Sequence, residues 1–140
     1  MGLINQKRGY KINLLNVNYE YIDFDEEIAE DFEFIVSDDY EIDSFNEDMV
    51  SIILSRKVYY KPEIIFNISV TLQIIYNINK DSEQELNKNN LEKELESKKK
   101  LLLEPLVSKA SLLIANITNA DDDLNVITPP FLQQTKLNFN

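Results

Sequence analysis

The sequence has 140 residues, 44% of them hydrophobic, enough for one domain (1–140) with a buried core and too few for two. Its 25 acidic against 14 basic residues give a net charge of −11, which argues against a phosphate-neutralising surface of clustered Lys and Arg, so no nucleic-acid partner is expected. Cysteine and histidine are both absent, which removes disulfides, thiolate sites, the commonest general base and the commonest metal ligand; no enzyme, cofactor or metal is expected.

The first residues, Met1 to Arg8, lack the apolar run of a signal peptide, and Gln6 stands where a myristoylation signal needs Ser or Thr. No uninterrupted apolar segment approaches the roughly 20 residues that span a bilayer, so the expectation is a cytoplasmic chain without direct membrane insertion. A first strand is predicted from Tyr10 to Ile22. Its alternation is imperfect, with Leu15, Val17, Tyr19 and Tyr21 on one side and Leu14, Asn16, Asn18 and Glu20 on the other. A second strand, within residues 28–43, sets Phe32, Phe34 and Val36 against Asp31 and Glu33, with fraying or a bulge expected at Ser37, Asp38 and Asp39.

The third strand, Met49 to Lys61, opposes Val50, Ile52, Leu54, Val58 and Tyr60 to Ser51, Ser55, Lys57 and Lys61. Lys61-Pro62-Glu63 breaks it. The fourth carries Ile64, Phe66, Ile68, Val70, Leu72, Ile74, Tyr76 and Ile78 at every even position, with Asn67, Ser69, Thr71, Gln73 and Asn77 between. That run exceeds the usual strand of roughly 3–10 residues and implies a long, twisted hairpin with one apolar face. The predicted sheet thus covers residues 10–78.

Residues 81–100 read as a charged helical linker, with Glu94/Lys98 and Glu96/Lys100 as i,i+4 pairs and with Leu91, Leu95 and Leu102 continuing one face. Pro105 predicts a break near Leu103–Glu104. The helix beyond it gathers Leu102, Leu103, Leu106, Val107, Ala110, Leu113, Ile114 and Ile117 in one core-facing arc. On its other side Ser108, Ser111 and Ala115 are small and lie near Leu101 and Leu112, which suits a close helix contact between subunits. The pattern stops at Asn119. After three aspartates, Leu124 to Ile127 is extended. A second helix should start at Thr128, with Thr128 as N-cap, Pro129 at the first helical position and Ile127 stapled to Leu132. The helical C-terminal part therefore runs over 104–136. The order β-β-β-β-α-α predicts an α+β fold: a four-stranded antiparallel sheet with a long helix and a short C-terminal helix packed on one face.

Pro105 at a helix start, then Leu124-Asn125-Val126-Ile127-Thr128-Pro129-Pro130-Phe131, resembles the C-terminal half of the SecB family, with its Phe-Pro helix start and Leu-Asn-Leu-x-x-Pro-x-Phe segment. The chain departs from that pattern at Asp121-Asp122-Asp123, where the family has a Gly-x-Phe-Pro turn, and at Ser108-Lys109, where it has Arg-Glu. The resemblance implies an ATP-independent holdase that binds unfolded preproteins for export and assembles as a homotetramer, a dimer of dimers. It also implies a client-binding groove, here drawn from Phe32, Phe34, Leu124, Val126, Ile127 and Phe131, and an acidic surface that docks the SecA motor, here Asp23, Glu26, Glu27 and Glu30. The oligomer contact would use Leu101, Ser108, Leu112 and Ala115. The alternative within the same fold is a dedicated chaperone of an antitoxin, in a toxin–antitoxin or phage-defence system.

Simpler readings stand beside these. The block Glu20 to Asp48 holds 14 acidic residues and no Lys or Arg, which a solubilising face explains as well as a docking platform does. Asp121, Asp123 and Asn125 have the first spacings of a calcium loop, but Val126 replaces its glycine and Leu132 its bidentate glutamate, so a solvated turn is expected instead. Asn67-Ile68-Ser69 and Asn116-Ile117-Thr118 match the glycosylation pattern only by chance in an Asn-rich chain.

Overall fold

In a computed structural model of the chain, residues 2–22, 33–62, 65–120 and 126–133 are described. Four strands, β1 (Ile4–Ile22), β2 (Glu33–Phe45), β3 (Met49–Lys61) and β4 (Ile65–Ile78), form one antiparallel sheet in the order β1-β4-β3-β2. Two helices follow, α1 (Lys88–Ser97) and α2 (Lys99–Thr118). The fold is the expected α+β arrangement.

Strict alternation makes β3 and β4 the centre of the sheet. Val50, Ile52, Leu54 and Val58 face the same side as Phe66, Ile68, Val70, Leu72, Ile74 and Tyr76, and all are buried. α2 covers this face through Leu102, Leu103, Leu106, Val107, Ala110 and Ile114, while Leu113 and Ile117 of the predicted arc are half-buried. α2 packs on β4 and β3, and α1 packs against β2. By length and composition α2 could cross a bilayer; six of its apolar residues are seated on the sheet, while Leu101 and Leu112 are exposed.

The irregular alternation of the first strand has a definite cause. The β1–β4 register shifts between Leu14 and Asn16, so Leu15 is an inserted bulge residue. Tyr10, Ile12 and Leu14 lie opposite Tyr76, Ile74 and Leu72, whereas beyond the bulge Val17, Tyr19 and Tyr21 lie opposite Val70, Ile68 and Phe66. Leu14 therefore shares a face with Val17, not with Asn16. In β2 the bulge falls between Ile42 and Ser44, not at residues 37–39, which pair without interruption with Lys57, Arg56 and Ser55.

The outer face is polar and joined across all four strands. Asn13 donates to Gln73, whose own amide donates to Ser51, and Ser51 donates to Asp43. Each link lets a half-buried polar group keep a partner that water would otherwise supply.

Three expectations for the helical part change. The break falls at Lys98 (φ −119°), not near Leu103–Glu104, and Pro105 sits inside α2. A proline there leaves the Leu101 carbonyl without its helical donor. Within the linker, helix starts only at Lys88, opened by the Asn87 side chain accepting from the Asn90 amide, and α2 takes over from Lys99. Its Leu91 and Leu95 are buried as expected.

The predicted pairs within it rearrange. Glu94 accepts from the amides of Leu3 and Ile4 at 2.7 and 2.9 Å, and Glu96 meets Lys99 at 3.0 Å instead of Lys100. Gly2 lies so close to that carboxylate that an added Cβ would come within 2.5 Å of Glu94 Oε1.

The third change concerns Thr128. Residues 126–133 are not helical, and Thr128 opens no helix over them. Ile127 is 77% exposed, and the staple to Leu132 is not formed.

Candidate functional site

Residues 126–133 form an extended strap across the part of the sheet that α2 leaves open, and one side chain beneath them explains their course. Arg56 lies on the apolar face of β3, in phase with Leu54 and Val58, and is fully buried. An arginine in that position needs a counter-charge and five acceptors. Asp38, directly opposite on β2, supplies the charge in a two-pronged pair, Nε to Oδ1 and Nη2 to Oδ2, both at 2.7 Å. The strap supplies the remaining acceptors. Nη1 donates to Thr128 Oγ1 at 3.0 Å and to the Pro129 carbonyl, and Nη2 donates to the Phe131 carbonyl at 2.8 Å. All five guanidinium N–H groups are engaged.

Further bonds fasten the strap at both ends. The Gln133 amide donates to Asp38 Oδ2 at 2.7 Å and its carbonyl accepts from the Asp38 amide at 2.8 Å, which ties the strap to the outer edge of β2. Ser111 of α2 donates to the Thr128 carbonyl at 2.6 Å, and the Val126 amide donates to Thr118 Oγ1 at 3.0 Å. These bonds account for the missing helix. The Thr128 hydroxyl serves as acceptor for Arg56 instead of capping an amide, and the carbonyls of Pro129 and Phe131 belong to the guanidinium.

Apolar side chains stay partly exposed both in an aromatic row of the sheet and on the strap. Phe34 stacks obliquely on Tyr60 (ring centroids 5.2 Å apart), Tyr60 meets Phe66 edge-on at 5.6 Å, and Tyr19 stacks on Phe66 at 6.0 Å. Burial raises the Tyr60 phenol above its usual value. Phe34 and Tyr21 nonetheless remain 43% and 59% exposed, and on the strap Phe131 is 71% exposed. Between strap and α2 runs a groove with a cavity of about 670 Å³, lined by Leu103, Val107, Phe131 and Leu132 and bordered by Lys99, Lys100 and Glu104.

Of the groove residues expected from sequence, Phe34 sits in the aromatic row, Val126 is half-buried, and Ile127 and Phe131 project from the strap. Phe32 and Leu124 lie outside the described residues, as do Asp23, Glu26, Glu27 and Glu30 of the acidic surface. From the rest of the acidic block, Asp38 turns inward to Arg56, while Glu33 and Asp39 lie on the outer face, with Glu33 opposite Lys61. On α2, Leu101 and Leu112 are more than half exposed, Ser108 is exposed and Ala115 is half-buried. Ser108 and Leu112 border a depression shared with Tyr10 and Ile12 of β1, an edge strand. Ser111, also expected at that contact, is instead bonded to the strap.

Sequence reading missed Arg56 altogether. The signal was present: Arg56 and Asp38 each interrupt the apolar phase of their strands, and two opposite charges at matching inward positions of neighbouring strands require one another.

No protein-family model matches the chain, and no curated protein matches it in sequence. Among solved structures it is similar to the Mycobacterium tuberculosis SecB-like chaperone Rv1957, described in complex with a ChAD peptide from the Rv1956 HigA1 antitoxin. That match has a TM-score of 0.61 and 7% sequence identity, and covers 85% of this chain and 86% of the other. At that identity the likeness is one of fold. A protein of unknown function from Streptococcus agalactiae is also similar, with a TM-score of 0.42 and 14% identity over 86% of this chain and 98% of the other.

Proposed function

We propose that the chain is a peptide-holding chaperone of SecB-like fold, without catalytic activity or a nucleotide requirement. The observation that carries this reading is the partly exposed apolar side chains of the aromatic row and of the strap, on that fold. Native monomers seldom leave large apolar side chains together at the surface without a use for them, and an unfolded client offers matching side chains. Phe34, Val126, Ile127 and Phe131 are the proposed contacts. Binding by burial of hydrocarbon needs no ATP.

The test is suppression of aggregation of an unfolded client without nucleotide. Val126→Asp should abolish suppression while leaving the far-ultraviolet circular dichroism unchanged. Equal suppression by heat-denatured protein would defeat the reading.

Two client classes are open to such a holdase: many unfolded preproteins destined for export from the cytoplasm, or one antitoxin. The antitoxin peptide bound by the SecB-like neighbour favours the second. Affinity capture with identification of bound chains separates them, since one gives many clients and the other a single stoichiometric partner. Delivery to SecA would use Asp23, Glu26, Glu27 and Glu30. Their replacement by amides should remove a salt-sensitive interaction with a SecA C-terminal peptide and spare client binding.

Assembly as a homotetramer belongs to the same proposal. Its contact would use Leu101, Ser108, Leu112 and Ala115 of α2, with Tyr10 of β1 beside them. Ala115→Arg should lower the sedimentation coefficient, and a wild-type chain that sediments as a monomer at micromolar concentration would reject the assembly.

A further inference from the structure

We propose that the Arg56–Asp38 pair is a binding site for extended polypeptide backbone, which the strap fills in the free chain and a client segment fills after displacing it; this deepens the peptide-holding reading and rests on it. Every bond from the strap to that pair except the one at Thr128 Oγ1 goes to the main chain. Arg56 donates to the carbonyls of Pro129 and Phe131, and Asp38 exchanges two bonds with the amide and carbonyl of Gln133. The three carbonyls are two residues apart, and carbonyls at that spacing lie on one side of any extended chain. The pair therefore asks for a backbone and hardly for a sequence.

The balance of bonds allows such an exchange. Release alone takes the Thr128, Pro129 and Phe131 acceptors from a buried cation, whereas an incoming chain offers carbonyls in place of the two that leave. Little hydrocarbon holds the strap down. Within residues 126–133 only Thr128 is buried, while Ile127, Pro130 and Phe131 are exposed. The site itself stays in place, because Asp38 and Arg56 lie opposite one another on paired strands and the two-pronged bond between them does not involve the strap. A client thus meets donors that are already aimed.

The client in the test is reduced, carboxymethylated α-lactalbumin, a permanently unfolded chain. Saturating the full-length protein with it should speed hydrogen exchange at the Gln133 amide by about tenfold or more, since that amide loses Asp38 Oδ2, and should leave the Asp38 amide protected by a client carbonyl. Faster exchange at both amides would show release without takeover, and unchanged exchange at both would show no release. Either result overturns the proposal and leaves the holdase reading standing. Arg56→Met with Asp38→Leu adds a test of sign. It frees the strap, so a strap that only covered a site elsewhere would make this variant bind the client more tightly. Loss of the carbonyl donors should instead weaken binding about tenfold. Tighter or unchanged binding by a variant with native far-ultraviolet circular dichroism would overturn the proposal; if the variant does not fold, the exchange pattern of the wild type decides. Failure of the wild type to bind the client would overturn the holdase reading as well.

Discussion

The inner face of the sheet is closed by two different means. Under α2 the closure is hydrocarbon on hydrocarbon: Leu102, Leu106, Ala110 and Ile114 rest on the even-numbered residues of β4. Under the strap it is a buried guanidinium holding backbone carbonyls. The first needs only apolar surface of about the right size, and many substitutions would still satisfy it. The second needs a particular ion in a particular place, and removal of any member leaves a buried polar group without a partner. Tolerance and exactness thus divide one face of one sheet.

The largest effect should come from Arg56. Arg56→Met leaves Asp38 buried without its counter-charge and should lower stability by about 3–5 kcal/mol in urea denaturation, whereas Arg56→Met with Asp38→Leu should recover much of that. The double variant should still free the strap, read as faster hydrogen exchange at the Gln133 amide, which loses its carboxylate acceptor. Leu106→Ala should cost about 2–5 kcal/mol by opening a cavity under α2, with exchange at Gln133 retained while the fold persists.

If these two variants couple by more than about 0.5 kcal/mol in a double-mutant cycle, the two closures are not independent and the contrast fails. Thr128→Val, which removes an acceptor from Arg56, should cost about 1–3 kcal/mol.

The smallest effect belongs to Tyr76, whose hydroxyl donates to the Leu102 carbonyl at 2.7 Å. Burial, assisted by Tyr10, raises its phenol to about 12. The native state thus keeps a proton that the unfolded chain loses near pH 10, so stability should fall between about pH 10 and 12. Tyr76→Phe should cost about 1 kcal/mol at neutral pH and flatten that alkaline slope.

How legible each part was follows from the same contrast. Periodicity exposes any element with a single apolar face, and β3, β4 and the α2 stripe could be read from their own residues. β1 was blurred because the bulge at Leu15 exchanges faces halfway along, and only the pairing with β4 reveals it. The break at Lys98 carries no glycine or proline, so local chemistry pointed to Pro105 instead. The strap was misread because Thr128-Pro129 is a sound helix start in isolation. Its hydroxyl is claimed by Arg56, 72 residues earlier in the chain, and no local pattern encodes so distant a competitor. Of the proposed contact residues, Ile127 and Phe131 were reachable from sequence as apolar residues, but their outward projection depends on that same distant arginine.

The route by which the chain closes on itself bears on how it folds. β3 and β4 can pair as soon as both exist, but β1 must wait for β4, since Ile4 lies opposite Ile78 and Tyr21 opposite Phe66. The amides of Leu3 and Ile4 wait longer still, for a carboxylate 91 and 90 residues away. Loop closure over such separations must precede the contacts that reward it, which makes folding slow relative to a helical bundle of this size. During synthesis β1, with Tyr10, Leu14, Val17 and Tyr21 along it, is therefore an early segment without its permanent neighbour. A protein proposed to shelter the unpaired segments of others thus passes through a stage at which its own first strand has the same need.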